Sequence, residues 1–314
     1  MSGKRDLRVD DPLDDFEKRE VELAGVSKRV YVAGRGPAVI VMAEMPGISP
    51  HVARFSRWVR DAGFTVYMPS LFGRDGAVAE AEAGEKVLRR ACVSAEFRAL
   101  AANESSPVTG WLRALAQLAH QQCGGPGVGA IGMCFTGNFA LTMMLEPAVL
   151  APVLCQPALP LNDPAALEIT PAELDAVRGR LEREDLTVRA YRFAGDRFCA
   201  EQRFTAYSRA LGPRFIGRVL PDSAAANSDV PAFFEQVVRC PHSVVTAHLI
   251  DRAGEPTLAA RDEILAFFRQ RLLGEFSFDR GGHLEQSSVS PGAAEQHETA
   301  GQRLAAAHRK RDGA

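Results

Sequence analysis

No apolar run in this sequence approaches the roughly 18 residues that a membrane-spanning helix needs. The first twenty residues, Met1 to Glu20, carry dense charge of both signs and no hydrophobic h-region, which argues against secretion and predicts a cytoplasmic protein. Excess charge is missing too. The 37 Lys and Arg against 39 Asp and Glu give a formal net charge of −2, so neither a nucleic acid nor a membrane surface is implied as a partner. The six cysteines, at 92, 123, 134, 155, 199 and 240, form no CxxC pair and match no zinc spacing. No metal is expected, and in a reducing compartment all six should be free thiols. No internal repeat is present.

What is there is enough for a large core. The chain has 314 residues, 46% hydrophobic and 24% charged, a balance that excludes global disorder. Residues 1–18 read as a polar lead-in. Val21 to Tyr31 reads as β structure with Gly25 at a turn, and Ala38-Val39-Ile40-Val41-Met42 as a strand buried on both faces. Ser49-Pro50 supplies an N-cap and a first-turn proline, and Val52, Phe55, Val59 and Ala62 follow at helical spacing. Gly63 ends that helix, and Phe64 to Met68 is the next strand.

The unit then repeats. Helix Val108–Gln121 leads to strand Val128–Gly132, and helix Phe139–Leu145 to strand Val153–Cys155. Thr170-Pro171-Ala172-Glu173 is a capping box opening a helix to Glu184. Strand Leu186–Phe193, helix Gln202–Leu211, strand Phe215–Leu220 and an amphipathic helix Pro256–Leu272 complete the pattern. This alternation predicts one α/β domain over residues 19–273, a mostly parallel, doubly wound sheet with helices on both faces. Residues 274–314 are poor in large apolar groups and read as a disordered tail.

The chemistry concentrates at Gly132-Met133-Cys134-Phe135-Thr136-Gly137, a strand, a sharp turn bearing a nucleophile type, and a helix start. Such an elbow needs small residues two before and about two after the nucleophile, because the turn presses them against neighbouring backbone. Gly132 meets the first need. Thr136 stands at the second, with Gly137 one later. A thiol placed there has its thiolate favoured by the helix dipole. An elbow also needs an acid past a later strand and then a histidine. Asp196 follows strand Leu186–Phe193, and His242 and His248 are the histidines between it and the last helix. The alternative for Cys134 is one more buried thiol.

These segments together resemble the dienelactone hydrolase family of α/β-hydrolases, in which the nucleophile is cysteine. The elbow is similar to that family's G-x-C-x-G-G. Val41-Met42-Ala43-Glu44-Met45-Pro46-Gly47 is similar to its strand end bearing a glutamate, and Met68-Pro69-Ser70-Leu71-Phe72-Gly73 to its P-x-L-[FY] segment. Gly195-Asp196 and His242-Ser243 stand where the family keeps its acid and histidine. The resemblance spans about Val21 to Leu273 and implies an α/β-hydrolase fold.

It further implies Cys134 as nucleophile, His242 as base and Asp196 as its orienting acid. Glu44 would be the carboxylate beside the resting thiol, and the N–H groups of Met45 and Phe135 the oxyanion hole. Arg98 and Phe72 would contact substrate. Thr136, in place of a glycine, and the long stretch Asp222 to Cys240 before the histidine depart from the pattern; His248 is the rival base.

The implied activity is hydrolysis of a small lactone or carboxylic ester through an acyl-enzyme, without a cofactor. The competing expectations are a ligand-binding or redox-sensing protein with a reactive Cys134, and a thioesterase or acyl-transfer enzyme using the same site.

Overall fold

The computed structural model describes residues 5–274. The tail expected at 274–314 lies outside the described residues except for Gly274. Among the described residues no helix is long and apolar enough to cross a membrane.

Among the described residues eight strands form one sheet. They are β1 Glu17–Leu23, β2 Val26–Gly34, β3 Ala38–Met42, β4 Thr65–Pro69, β5 Val128–Met133, β6 Val149–Cys155, β7 Val188–Phe193 and β8 Phe215–Leu220. Their order is β1-β2-β4-β3-β5-β6-β7-β8. β1, β2 and β4 pair antiparallel, and every pairing from β4 through β8 is parallel. The order reverses at β3, with β4 on one side and β5 on the other. That reversal opens the crevice where doubly wound sheets place their sites, at the carboxyl ends of the strands.

Among the described residues seven α-helices cover the sheet. They are α1 Pro50–Asp61, α2 Ala81–Val93, α3 Val108–Cys123, α4 Phe139–Thr142, α5 Pro171–Arg183, α6 Glu201–Leu211 and α7 Pro256–Leu272. The period-2 geometry of β3 shows why its sequence is apolar throughout. Ala38, Ile40 and Met42 enter a core with Trp111, Leu112 and Leu115 of α3. Val39 and Val41 enter the opposite core, with Phe55 and Val59 of α1 and Ile264 and Phe268 of α7.

The local signals act as their chemistry dictates. The Ser49 side chain accepts the Val52 N–H at the start of α1, and Gly63, at φ +101°, carries the chain out of it. Thr170 and Glu173 cap α5 reciprocally.

Several details differ from the sequence expectation or lie where it assigned no element. Helix α2 lies in a stretch for which no element was predicted. The helix expected at Phe139–Leu145 is one short α segment followed by a 3₁₀ turn, Met143–Leu145. Residues 242–249, to which the sequence assigned no element, form a buried turn; Val244 and Val245 are both fully buried, and the His248 N–H reaches the Ser243 carbonyl at 3.1 Å. The polar lead-in is tied down: Leu13 and Phe16 are buried, and Arg57 of α1 forks onto Asp11 at 2.6 and 2.8 Å and onto Asp15 at 2.7 and 2.8 Å.

The long stretch Asp222 to Cys240 also packs. Asp222 accepts the Gly195 N–H at 2.7 Å, at the end of β7. Phe233 lies against Gly84 of α2, where a Cβ would come within 2.4 Å of its ring.

Candidate active site

Cys134 follows β5 directly, with φ +56°, a left-handed backbone that a non-glycine residue adopts only where the surroundings enforce it. The enforcing contacts are visible. A Cβ on Gly132 would lie 2.0 Å from the Thr136 carbonyl, and one on Gly137 would lie 2.5 Å from Pro157. Both elbow glycines are therefore required by close backbone approach.

Thr136 takes the place of a third small residue by bonding. Its hydroxyl oxygen accepts the Met133 N–H at 2.9 Å and lies 3.1 and 3.2 Å from the carbonyls of Met42 and Ala43. It thereby ties the elbow to the end of β3.

The acid and the histidine meet as their chain order suggested. Asp196, just past β7, accepts the N–H groups of Phe198 and Cys199 on Oδ1 at 2.9 and 3.0 Å, while Oδ2 lies 2.8 Å from His242 Nδ1. Burial works against a charge on either ring or carboxylate. The pair overcomes it: the Asp196 carboxyl is held below the usual range by His242, and the His242 ring is raised well above its ordinary value by Asp196 and by Cys134 nearby. His242 Nε2, on the far side of the ring, is buried with no hydrogen-bond partner.

His248 is placed differently. Its Nδ1 accepts the backbone N–H groups of Ser243 and His242, at 3.1 and 3.4 Å, so the ring is neutral with its proton on Nε2. Burial pushes it down to about 4, and the edges of Phe193 and Phe234 enclose it. It holds the turn that carries His242.

Glu44 is buried at the end of β3, where burial raises its carboxyl. The resemblance assigned it to the resting thiol. Its hydrogen bonds go instead to the hydroxyls of Ser243 (2.5 Å) and Thr246 and to Gln156 Nε2 (3.4 Å), and none among the described residues to Cys134.

Gln156 escaped the sequence reading. It follows β6 directly, fully buried with φ +36°, and its Oε1 accepts the Val244 N–H at 3.4 Å. The signal that drew attention to Glu44, a polar residue closing a buried strand, applies equally to it.

Met45 and Phe135 sit at the carboxyl ends of β3 and β5, and among the described residues neither N–H is taken by a turn or side-chain acceptor. The Phe135 ring packs edge-on to Phe97 and Phe72, at 5.4 and 6.0 Å between centroids. Phe72 and Phe97 in turn line a cavity of about 450 Å³ with Leu71, Val87 and Ala91, and with Arg74, Arg90 and Ser94 on its polar side. Arg98 is exposed and ion-paired with Glu104. Among the described residues no group of three or more His, Cys, Asp or Glu side chains is placed to hold a metal ion.

The model of the dienelactone hydrolase family matches residues 23–168. A carboxymethylenebutenolidase from Pseudomonas sp. (strain P51) is 31% identical over 124 residues, 39% of this chain and 50% of that protein, so the chain spans about half the length of this curated relative. A Klebsiella pneumoniae subsp. pneumoniae MGH 78578 protein solved as a dienelactone hydrolase superposes with a TM-score of 0.51 at 15% identity, over 81% of this chain and 98% of that one. A dienelactone hydrolase-like promiscuous phosphotriesterase from metagenomic libraries gives 0.51 at 17%, over 80% and 96%. At such identities the structural likeness speaks for the fold. Residues 23–168 thus resemble the dienelactone hydrolase family, and the sheet and helices form an α/β-hydrolase fold.

Proposed function

We propose that this chain hydrolyses a small lactone or carboxylic ester with Cys134 as nucleophile. The observation that carries the reading is the strained Cys134 at the end of β5, beside a buried His242–Asp196 pair whose Nε2 has no other partner. The Cys134 thiolate attacks the carbonyl carbon while the developing oxyanion takes the N–H groups of Met45 and Phe135. The tetrahedral intermediate collapses, and protonated His242 gives its Nε2 proton to the leaving alkoxide. Neutral His242 then takes a proton from water, whose oxygen attacks the thioester. Its collapse expels the thiolate and releases the acid.

Glu44 serves this cycle through the Ser243 and Thr246 hydroxyls, which fix the turn behind His242. The Phe72–Phe97 cavity receives the apolar body of the substrate. A working thiolate suits a reducing, cytoplasmic setting.

The test is hydrolysis of p-nitrophenyl acetate by the parent and by Cys134→Ala and His242→Ala. Each substitution should lower kcat by ~10³-fold or more. A Cys134→Ala protein as fast as the parent overturns the assignment and leaves the reactive-thiol or ligand-binding reading. Activity lost in His248→Ala but kept in His242→Ala overturns the choice of base.

A further inference from the structure

A second cavity, of about 470 Å³, lies behind the turn that carries His242, and none of Cys134, Asp196, His242 or Glu44 lines it. Its inner wall is His51 and Arg54 of α1 together with Ala247 and Leu249 of that turn; Arg5, Ser228 and Asp229 stand on the outer wall. His51 is only 6% exposed, yet its ring makes no hydrogen bond among the described residues. Burial holds it down to about 3, so at neutral pH it offers one N–H donor and one acceptor.

Arg54 is the cation beside it. One of its nitrogens donates to the Thr246 carbonyl at 3.0 Å, but Nε is buried with no partner. Its guanidinium stacks on Trp58 at 4.8 Å, and burial lowers it only to about 10, so it stays charged. The other charges at the wall are largely engaged: Arg8 with Asp6, and Arg5 with Asp11, Asp14 and Asp15. Asp251 acts on Arg54 from outside the lining, and Asp229 faces the opening.

A guanidinium that spends one nitrogen on Thr246 and a neutral imidazole without a hydrogen bond thus line one cavity, and an anion seated there would pair with both. We propose that this cavity binds a small anion through a carboxylate or phosphate head group, accepting from the Arg54 guanidinium and from the His51 N–H. The cavity has the size of ordinary small-molecule sites, about 300–1,000 Å³. The proposal does not depend on the chemistry assigned to Cys134.

The experiment titrates the full chain with inorganic phosphate and, separately, with succinate at constant ionic strength. Binding is read from Trp58 fluorescence in a Trp111→Phe background, and the two titrations distinguish the head groups. At least one should saturate, with the same affinity in Cys134→Ala and ~10-fold or more weaker affinity in both Arg54→Gln and His51→Gln. Asp229→Asn, which removes a like charge from the opening, should bind more tightly. Saturation by neither anion overturns the proposal. So does unchanged affinity in Arg54→Gln and His51→Gln, or loss of binding in Cys134→Ala, which would place the anion at the thiol.

Discussion

Thr136 illustrates how one side chain can satisfy a geometric demand by a different route. The family pattern has a glycine at this position, and Thr136 departs from it. The space in fact requires small residues at Gly132 and Gly137, and the Thr136 hydroxyl fills the remaining gap by meeting the Met133 N–H and the β3 carbonyls. Replacing it with valine keeps the volume and leaves a buried N–H without an acceptor. Thr136→Val should therefore lose about 1–3 kcal/mol of stability in urea denaturation, whereas Thr136→Ser, which keeps the hydroxyl, should stay within about 1 kcal/mol of the parent. A valine variant as stable as the parent would show that the hydroxyl bonds contribute nothing net.

The segment from His242 to Leu249 works as an element although it is neither helix nor strand. Glu44, Gln156 and His248 each bond part of it, and His248 Nδ1 alone accepts two of its N–H groups. An Asn side chain can present an acceptor close to where Nδ1 sits; Phe cannot. His248→Phe should lower kcat for the activated ester by ~10- to 100-fold through displacement of His242, and His248→Asn should recover much of it. Equal losses in the two would mean that His248 matters for ring packing rather than for its acceptor.

This turn also marks where the sequence stopped being readable. Strands β3 and β5 announced themselves because burial on both faces demands continuous apolar runs, β7 by an apolar pattern that Arg189 and Arg192 interrupt, and α1 and α5 because caps are local chemistry. From those runs the elbow and Asp196 could be located. The 242–249 turn could not, since its residues are apolar to fill a core and follow no period. Helix α2 was readable in principle: Gly84, Val87, Leu88, Ala91 and Cys92 stand at helical spacing, although only Gly84 and Ala91 are buried and the stripe is small and weakly apolar.

At the scale of the whole molecule, buried polar groups join parts of the chain that the apolar pattern does not connect. Arg57 ties Asp11 and Asp15 to α1, converting a charged lead-in into a packed strap. On the other side of the sheet Glu168 is fully buried. It accepts the Ser106 N–H at 2.6 Å and Asn138 Nδ2 at 3.0 Å, while the Tyr207 hydroxyl donates to Asn138 at 2.6 Å. The network thus links the helix start behind the elbow to α6. Burial outweighs these hydrogen bonds and raises the Glu168 carboxyl from 4.5 to about 7.

A group that holds its proton more tightly in the folded chain stabilises the fold most below its unfolded pKa, and that contribution disappears as pH rises through the folded value. For Glu168 the window runs from 4.5 to about 7. Glu168→Gln removes this dependence, so across that window the variant should gain stability relative to the parent as pH rises, by about 1.4 kcal/mol per pH unit at most. Urea denaturation of both proteins at several pH values measures the difference directly, and the other titrating groups cancel in it. Stability curves that run parallel from pH 5 to about 8 would mean that Glu168 is ionised in the fold throughout, held so by Ser106 and Asn138.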